Sequence, residues 1–548
     1  MLRFDHIDFS YDTKNAGSYA LRDISFELLA SEHVCVVGSN GSGKSTLLRL
    51  ANQTLKPSAG SICLNGRNFE DLPSSEIKQR VGLVRQDPTT QLVSSVVFDE
   101  LAFGPRNLGL PHDEVRRRTS EALHKVGLDG FEQRLTHDLS GGEQQRLALA
   151  GVMVMRPQVL LLDEVDSQLD QAARKAVRKH IKALVDSGVA VLEATHDLRV
   201  LQGATCVLVL EQGRLLWSGA PEALLSSDEL MLRAGLIARH APEQSSVEKI
   251  VLGEKISPGE KIVLGEKNTS KATSPDSQQS VVLHAEKLGV VCNTSSGTYK
   301  SQSALTQQSA HRKVLIDDIS LDLHAGELML VSGKSGAGKT TLALLLAGLM
   351  KPSSGKVLYE DQPVRPSQVG FVFQRTADQL FCDTVLDDVM FGPLQQGLSA
   401  VQARLQATAA LRTLGVSEEL FDRSVFSLSG GQARRVAIAG VLSMQAHVLI
   451  FDEPTCGLDA QGRYELRTLV AQLCRRGCAV LIITHDAEDW MDLASSYLRL
   501  DEGHVVEREC AAEKGRVAEK ICVSARDRAV EKSRAVAQGH VRGEGCER

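Results

Sequence analysis

At 548 residues and 43% hydrophobic side chains, the chain is long enough for more than one α/β domain and apolar enough to give each a core, built from aliphatic residues because aromatics are only 4%. Sixty-two basic against 68 acidic side chains leave a net charge of −6, which speaks against the basic surface that a nucleic-acid partner requires. No stretch reaches the roughly 18 to 20 continuous apolar residues of a membrane helix. The start, Met1-Leu2-Arg3-Phe4-Asp5, reads as no secretory signal, and 11 cysteines without a Cys-x-x-Cys pair read as reduced thiols, the nearest couple, Cys474 and Cys478, lying in a helical pattern.

The apolar run Val34-Cys35-Val36-Val37 predicts a strand. It leads into Gly38-Ser39-Asn40-Gly41-Ser42-Gly43-Lys44-Ser45-Thr46, after which leucines recur at helical spacing. A strand, a glycine-rich loop and a helix in that order can bind phosphate. The glycines let backbone N–H groups close on the anion, the helix N-terminus adds positive potential, and Lys44 supplies a point charge. Downstream come Gln86 and Gln91, Phe103-Gly104-Pro105, and Leu139-Ser140-Gly141-Gly142-Glu143, with Leu147 to Met155 read as a buried helix. The runs Val159 to Leu162 and Val189 to Leu192 predict buried strands, the first delivering Asp163-Glu164 and the second leading to His196. Cys206 to Leu210, followed by the turn signal Gln212-Gly213, closes a first half that ends near residue 240.

From 241 to 280 the composition shifts to Ser, Gln, Lys, Glu and Pro, and the octapeptide Glu248 to Lys255 recurs as Glu260 to Lys267; a flexible linker is predicted. The second half, 281–508, repeats the landmarks. Leu328-Met329-Leu330-Val331 precedes Gly333-Lys334-Ser335-Gly336-Ala337-Gly338-Lys339-Thr340-Thr341, and Leu342 to Met350 reads as a buried helix. Gln374, Gln379 and Phe391-Gly392-Pro393 lie 288 residues after their counterparts; Ser429, Asp452-Glu453 and His485 lie 289 after theirs. A nearly constant offset over so many landmarks marks a duplicated domain. Asn293 to Lys313, rich in Ser, Thr and Gln, is predicted to be a surface loop, and 509–548 a charged tail, frayed helix or disordered.

In each half this ordered set resembles the nucleotide-binding domain of the ATP-binding cassette (ABC) superfamily. The diagnostic elements are Leu139-Ser140-Gly141-Gly142-Glu143 and Leu428-Ser429-Gly430-Gly431-Gln432, each some 20 residues before an apolar run ending in Asp-Glu. The resemblance implies an α/β fold: two tandem P-loop ATPase domains, each with a mainly parallel sheet flanked by helices and a helical subdomain carrying the Leu-Ser-Gly-Gly element. It implies ATP and Mg2+ as cofactors. The nucleotide would lie on Gly38 to Thr46 and on Gly333 to Thr341, with Ser45, Gln86 and Asp163, or Thr340, Gln374 and Asp452, around the metal. Glu164 and Glu453 would polarise the attacking water, and His196 and His485 would contact the γ-phosphate. The two halves would pair head to tail within the chain. Ser429 and Gly431 would then face the nucleotide on Lys44, Ser140 and Gly142 the one on Lys339, and Asp170 and Asp459 would close segments crossing the interface.

Two departures stand out. The adenine-stacking aromatic falls on Tyr11 in the first half but on Cys292 in the second, where Tyr299 could substitute. The first half also reads Glu164-Val165-Asp166 where the second has Glu453-Pro454-Thr455, so both sites are expected to hydrolyse ATP, unequally. Within the superfamily, Gln86-Asp87-Pro88-Thr89-Thr90-Gln91-Leu92 and Gln374-Arg375-Thr376-Ala377-Asp378-Gln379-Leu380-Phe381 resemble the energy-coupling factor importers. That implies a transmembrane coupling subunit, a small substrate-binding membrane subunit, a place on the cytoplasmic face of a bacterial membrane, and a vitamin or transition-metal cargo. The rival reading is a tandem cassette ATPase acting on the ribosome, against which residues 241–280 carry five lysines, six carboxylates and no arginine. A cassette ATPase of another importer or exporter class also stays open, while a DNA-repair ATPase lacks its zinc-type cysteine pairs and coiled-coil insertions.

Overall fold

The computed structural model describes residues 1–11, 19–166, 169, 171–238, 280–294, 311–334, 336–374 and 376–510. Each half contains a six-stranded sheet, and the strand order is the same in both. In the first half it runs Arg214–Gly219, Cys206–Glu211, His33–Val37, Ala190–Ala194, Val159–Asp163, Val81–Val84. In the second it runs His504–Cys510, Ser496–Asp501, Leu328–Gly333, Ala479–Ile483, Val448–Asp452, Val369–Val372. Pairing is parallel except at the outer hairpin. Helices cover both faces of such a sheet, so its inner strands must be apolar throughout. Every residue of Val159–Asp163, Ala190–Ala194, Val448–Asp452 and Ala479–Ile483 is buried, including Glu193 in the middle of an otherwise apolar strand.

A second, antiparallel sheet in each half goes beyond the mainly parallel expectation. It is ordered Leu21–Leu28, Leu2–Phe9, Ala59–Leu64, Arg67–Asn68, and then His311–His324, Val281–Thr294, Ser354–Tyr359, Gln362–Pro363. Its inner face, with Leu2, Phe4 and Ile7, shares one core with Leu47 and Leu48 of the helix after the first phosphate loop. The sheet thus walls that loop on one side. A third layer holds the helices Val97–Asn107, His112–Val126 and Gly141–Met153, packed through Leu101, Leu123 and Leu147. Its counterpart holds Val385–Gln395, Ala400–Thr413 and Gly430–Ser443, packed through Val389, Leu411 and Val436.

Several boundaries differ from the sequence expectation. The predicted loop from Asn293 begins and ends as paired strand, Asn293 opposite Arg312 and Thr294 opposite His311. Strand pairing extends the second half to Cys510, past residue 508. Cys478 lies beyond the helix Ala460–Arg475, because Gly477 at φ +87° turns the chain out of it. The helix read to Met155 ends at Met153, and the one read as Leu342 to Met350 spans Lys339–Leu346. The linker 241–279, Asp170, Tyr299, Ser335, Arg375 and the tail 511–548 lie outside the described residues.

Candidate functional site

Both phosphate loops close a strand and open a helix. Gly43, at φ +105°, caps Lys44–Ala51, and Gly338, at φ +96°, caps Lys339–Leu346; a side chain is strained at either angle. The lysines are buried and turned back onto the loops. Lys44 Nζ donates to the carbonyls of Gly38 and Ser39 at 2.8 and 3.2 Å, and Lys339 Nζ to those of Gly333 and Lys334 at 2.8 and 2.9 Å. Burial lowers the Lys44 ammonium from its ordinary value. Ser42 Oγ, in the first loop, is buried and makes no hydrogen bond. Ser39, Gly41, Gly336 and Ala337 fall in the same two loops, and Thr46 and Thr341 in the first turns of the helices that follow.

Asp163 and Asp452 end buried strands and meet the residue after each lysine. Ser45 Oγ donates to Asp163 Oδ1 at 3.1 Å and Thr340 Oγ1 to Asp452 Oδ2 at 2.8 Å. Burial pushes both carboxyls up. Hydroxyl and carboxylate oxygens so placed form a hard-donor set that fits a divalent cation such as Mg2+.

The following glutamates are alike in backbone and unlike in surroundings. Glu164 and Glu453 adopt left-handed φ values of 48° and 49°, and their N–H groups donate across the sheet to Ala194 and Ile483. Gln86 Nε2 donates to Glu164 Oε2 at 2.8 Å, and Glu164 Oε1 lies 3.0 Å from His196 Nε2. Burial alone would raise the Glu164 carboxyl; His196 and the Lys44 charge outweigh it and hold it below its ordinary value. In the second half Glu453 Oε1 lies 3.3 Å from His485 Nε2, its Oε2 accepts from the His485 N–H at 3.3 Å, and no bond joins it to the described Gln374. Burial, reinforced by Asp452 and only partly offset by Lys339, pushes Glu453 up to about 8.

The Ser-Gly-Gly elements open helices through reciprocal caps, Ser140 with Glu143 and Ser429 with Gln432. The second of these helices approaches the first half: a Cβ on Gly431 would stand 3.7 Å from Asn40 Nδ2. Asn40 N–H donates to Asp459 Oδ2 at 2.8 Å, its Nδ2 donates to the Gly457 carbonyl at 3.3 Å, and Ala460 N–H donates to the Gly235 carbonyl at 3.2 Å. One phosphate loop is therefore covered by the other half. Tyr11, the aromatic expected to stack on adenine, is exposed, hydrogen-bonded through its hydroxyl to Thr46 Oγ1 at 3.1 Å and set edge-on to Phe9. The backbone of Cys292 lies in a strand opposite Lys313.

The second glutamine of each Gln-x4-Gln pair stays out of the site. Gln91 Oε1 accepts from Arg85 N–H and Gln379 Oε1 from Phe373 N–H, bracing the backbone one residue ahead of Gln86 and Gln374. Sequence reasoning missed Arg434, whose guanidinium donates to the carbonyls of Pro454, Cys456 and Gln374 and so holds the loop after Glu453. Nothing in its spacing announces it. It also missed Arg178, although Glu193 in an apolar strand was a visible sign that a buried cation was needed.

Residues 21–167 and 316–456 match the family model for ABC transporter domains. An ABC transporter ATP-binding protein of Bifidobacterium longum is 34% identical over 525 residues, covering 90% of this chain and 64% of the relative. An ABC transporter ATP-binding protein of Methanosarcina acetivorans is 32% identical over 529 residues, covering 92% of this chain and 85% of the relative. A Bacillus subtilis protein whose name assigns it to HMP/thiamine import is 32% identical over 523 residues, covering 91% and 88%.

Proposed function

The chain belongs to the ABC transporter family of ATPases, and from that premise we propose that it is the motor of an energy-coupling factor importer, with both cassettes of the motor on one polypeptide. What carries the reading is the meeting of Asn40 with Asp459 and Gly431, which puts the helix N-terminus of one half over the phosphate loop of the other.

In this reading ATP lies between the loop at Lys44 and the element at Ser429, and between the loop at Lys339 and the element at Ser140. Ser45 with Asp163, and Thr340 with Asp452, would hold Mg2+, which when bound would offset negative charge on the phosphates. Glu164, held ionised, orients a water and accepts its proton; Glu453 takes the same part in the second site once it has lost the proton that burial favours, and His196 and His485 fix the direction of approach. Nucleotide binding favours the closed pairing of halves, and hydrolysis releases it.

The force leaves through the surface near Gln86 and Gln374, where Val93 and Phe103 are exposed in the first half and Phe381 and Phe391, edge to face at 4.8 Å, in the second. That surface suits the helices of a transmembrane coupling subunit, which a small substrate-binding membrane protein accompanies. Among the described residues no helix is long and apolar enough to cross a membrane, consistent with a peripheral place on the cytoplasmic face. The paired glutamines support the subfamily, and the relative named for HMP/thiamine import supports a vitamin-class solute. Purification of the tagged chain from detergent-solubilised membranes, with mass spectrometry of what accompanies it, tests the proposal. Two small hydrophobic proteins in comparable amount are expected; ribosomal proteins, with the chain absent from membranes, would overturn it.

A further inference from the structure

The first half carries a buried ionic chain that has no counterpart at the matching positions of the second. Glu193 receives two guanidinium bonds from Arg178, Nη1 to Oε2 at 2.6 Å and Nη2 to Oε1 at 2.5 Å, and His33 Nε2 lies 2.9 Å from Oε2. Arg178, on the helix Gln171–Asp186, also donates to Asp166 Oδ2, from Nε at 2.6 Å and from Nη2. In the second half the matching residues are Leu328, Ile482, Arg467 and Thr455. There the arginine turns away, donating to Asp492 at 2.6 Å and lying over the Trp490 ring.

Stability is a poor reason for such a chain, because apolar side chains of similar volume serve as well or better in a core. Metal binding is a poor reason too. His33, Cys35 and Glu193 bring a nitrogen, a sulfur and an oxygen within 4.8 Å of one another, but the guanidinium already engages both carboxylate oxygens. Position is the better clue. Asp166 stands two residues after Glu164, and Glu193 three residues before His196. One guanidinium therefore ties the turn after Glu164 to the strand leading to His196, and Glu164 lies 3.0 Å from His196. In the second half the turn holds Pro454, whose ring fixes φ and stiffens the turn by itself.

We propose that Arg178 is a positioning residue for hydrolysis in the first half: by bridging Asp166 and Glu193 it sets Glu164 against His196, the task that Pro454 performs locally in the second half. The proposal rests on the reading that Glu164 and His196 act on the nucleotide. Arg178→Lys keeps the charge but cannot span both carboxylates, and Asp166→Asn releases one end without stranding a charge.

ATPase measurements on the full chain carrying Glu453→Gln, so that turnover comes from the first site alone, test this. Arg178→Lys should lower kcat about ten- to hundredfold with KM unchanged, since catalytic groups displaced by about 1 Å lose that much, and Asp166→Asn should lower it less. Adding Val165→Pro and Asp166→Thr to Arg178→Lys should restore kcat, because the turn then carries its own stiffness. Unchanged kcat in folded Arg178→Lys and Asp166→Asn, a loss confined to KM, or failure of the Pro-Thr graft to rescue would each overturn the proposal; if Arg178→Lys does not fold, Asp166→Asn decides. Glu164→Gln separates the two levels. If it leaves turnover intact, the catalytic reading fails and the clamp with it; if it abolishes turnover while Arg178→Lys does not, the clamp alone fails.

Discussion

Asp459 serves two masters, and two substitutions can part them. Its Oδ1 accepts from Gly462 N–H at 2.9 Å, capping the helix Ala460–Arg475, while its Oδ2 accepts from Asn40 N–H in the other half at 2.8 Å. Loss of the cap costs about 1 kcal/mol, or about 2–4 °C in Tm for a domain of some 200 residues. Loss of a hydrogen bond to a charged acceptor costs about 1.5–3 kcal/mol, which is roughly a ten- to hundredfold weaker closing equilibrium at about 1.4 kcal/mol per decade. Asp459→Ala forfeits both terms. Asp459→Asn keeps a cap of nearly equal quality but offers Asn40 a neutral amide. Calorimetric unfolding and ATPase rate against ATP concentration should therefore show both Tm and turnover reduced in the alanine variant, and turnover alone in the asparagine variant. Wild-type turnover in Asp459→Asn at every ATP concentration would refute the idea that this contact helps close the halves.

Lys44→Ala and Lys339→Ala should each remove one of two nucleotide sites in equilibrium binding with a fluorescent ATP analogue, and retention of two sites by the double variant would contradict the assignment. Gly38→Ala would set a Cβ 2.4 Å from the Leu210 carbonyl and from Ser42 Oγ; a cost of about 1–3 kcal/mol is expected from overpacking, read as a fall in Tm together with weaker nucleotide binding. Glu193 is held at about 2, because Arg178 and His33 outweigh the burial that would raise it. A carboxyl depressed in the folded state stabilises above its ordinary range and loses that contribution as pH falls from about 4.5 toward 2. Burial pushes Asp166 the other way, to about 6, so the penalty of its charge is relieved below that pH. Calorimetry between pH 4.5 and 2 should find a shallower acid loss in Glu193→Gln than in wild type; parallel curves would contradict the linkage.

The phosphate loops were legible in the sequence because their chemistry dictates glycines, a lysine and a hydroxyl at fixed spacing. The strands ending at Asp163 and Asp452 were legible because sheets covered on both faces require unbroken apolar runs. The antiparallel sheet was not. Its first strand slips register between Phe4 and Ile7 and again between Ile7 and Phe9, and these irregularities break the alternation by which a half-buried strand is recognised. Arg434 was invisible for another reason: it acts on carbonyls 20 and 60 residues away, so local pattern gives no hint that its guanidinium turns inward. Arg178 was signalled only indirectly, by Glu193 in an apolar strand, which called for a buried cation without saying which one. The pairing of Asn40 with Asp459, 419 residues apart, could be proposed only by resemblance.

That pairing joins two halves of a single polypeptide, and heredity follows from it. In a motor made of two identical subunits any substitution strikes both composite sites at once, so neither can drift while the other is kept. Here a codon change falls on one site only, and translation fixes their ratio at one to one. The Val165-Asp166 turn and the Pro454-Thr455 turn can therefore diverge in step with separate duties, each half evolving as an individual inside a partnership it cannot leave.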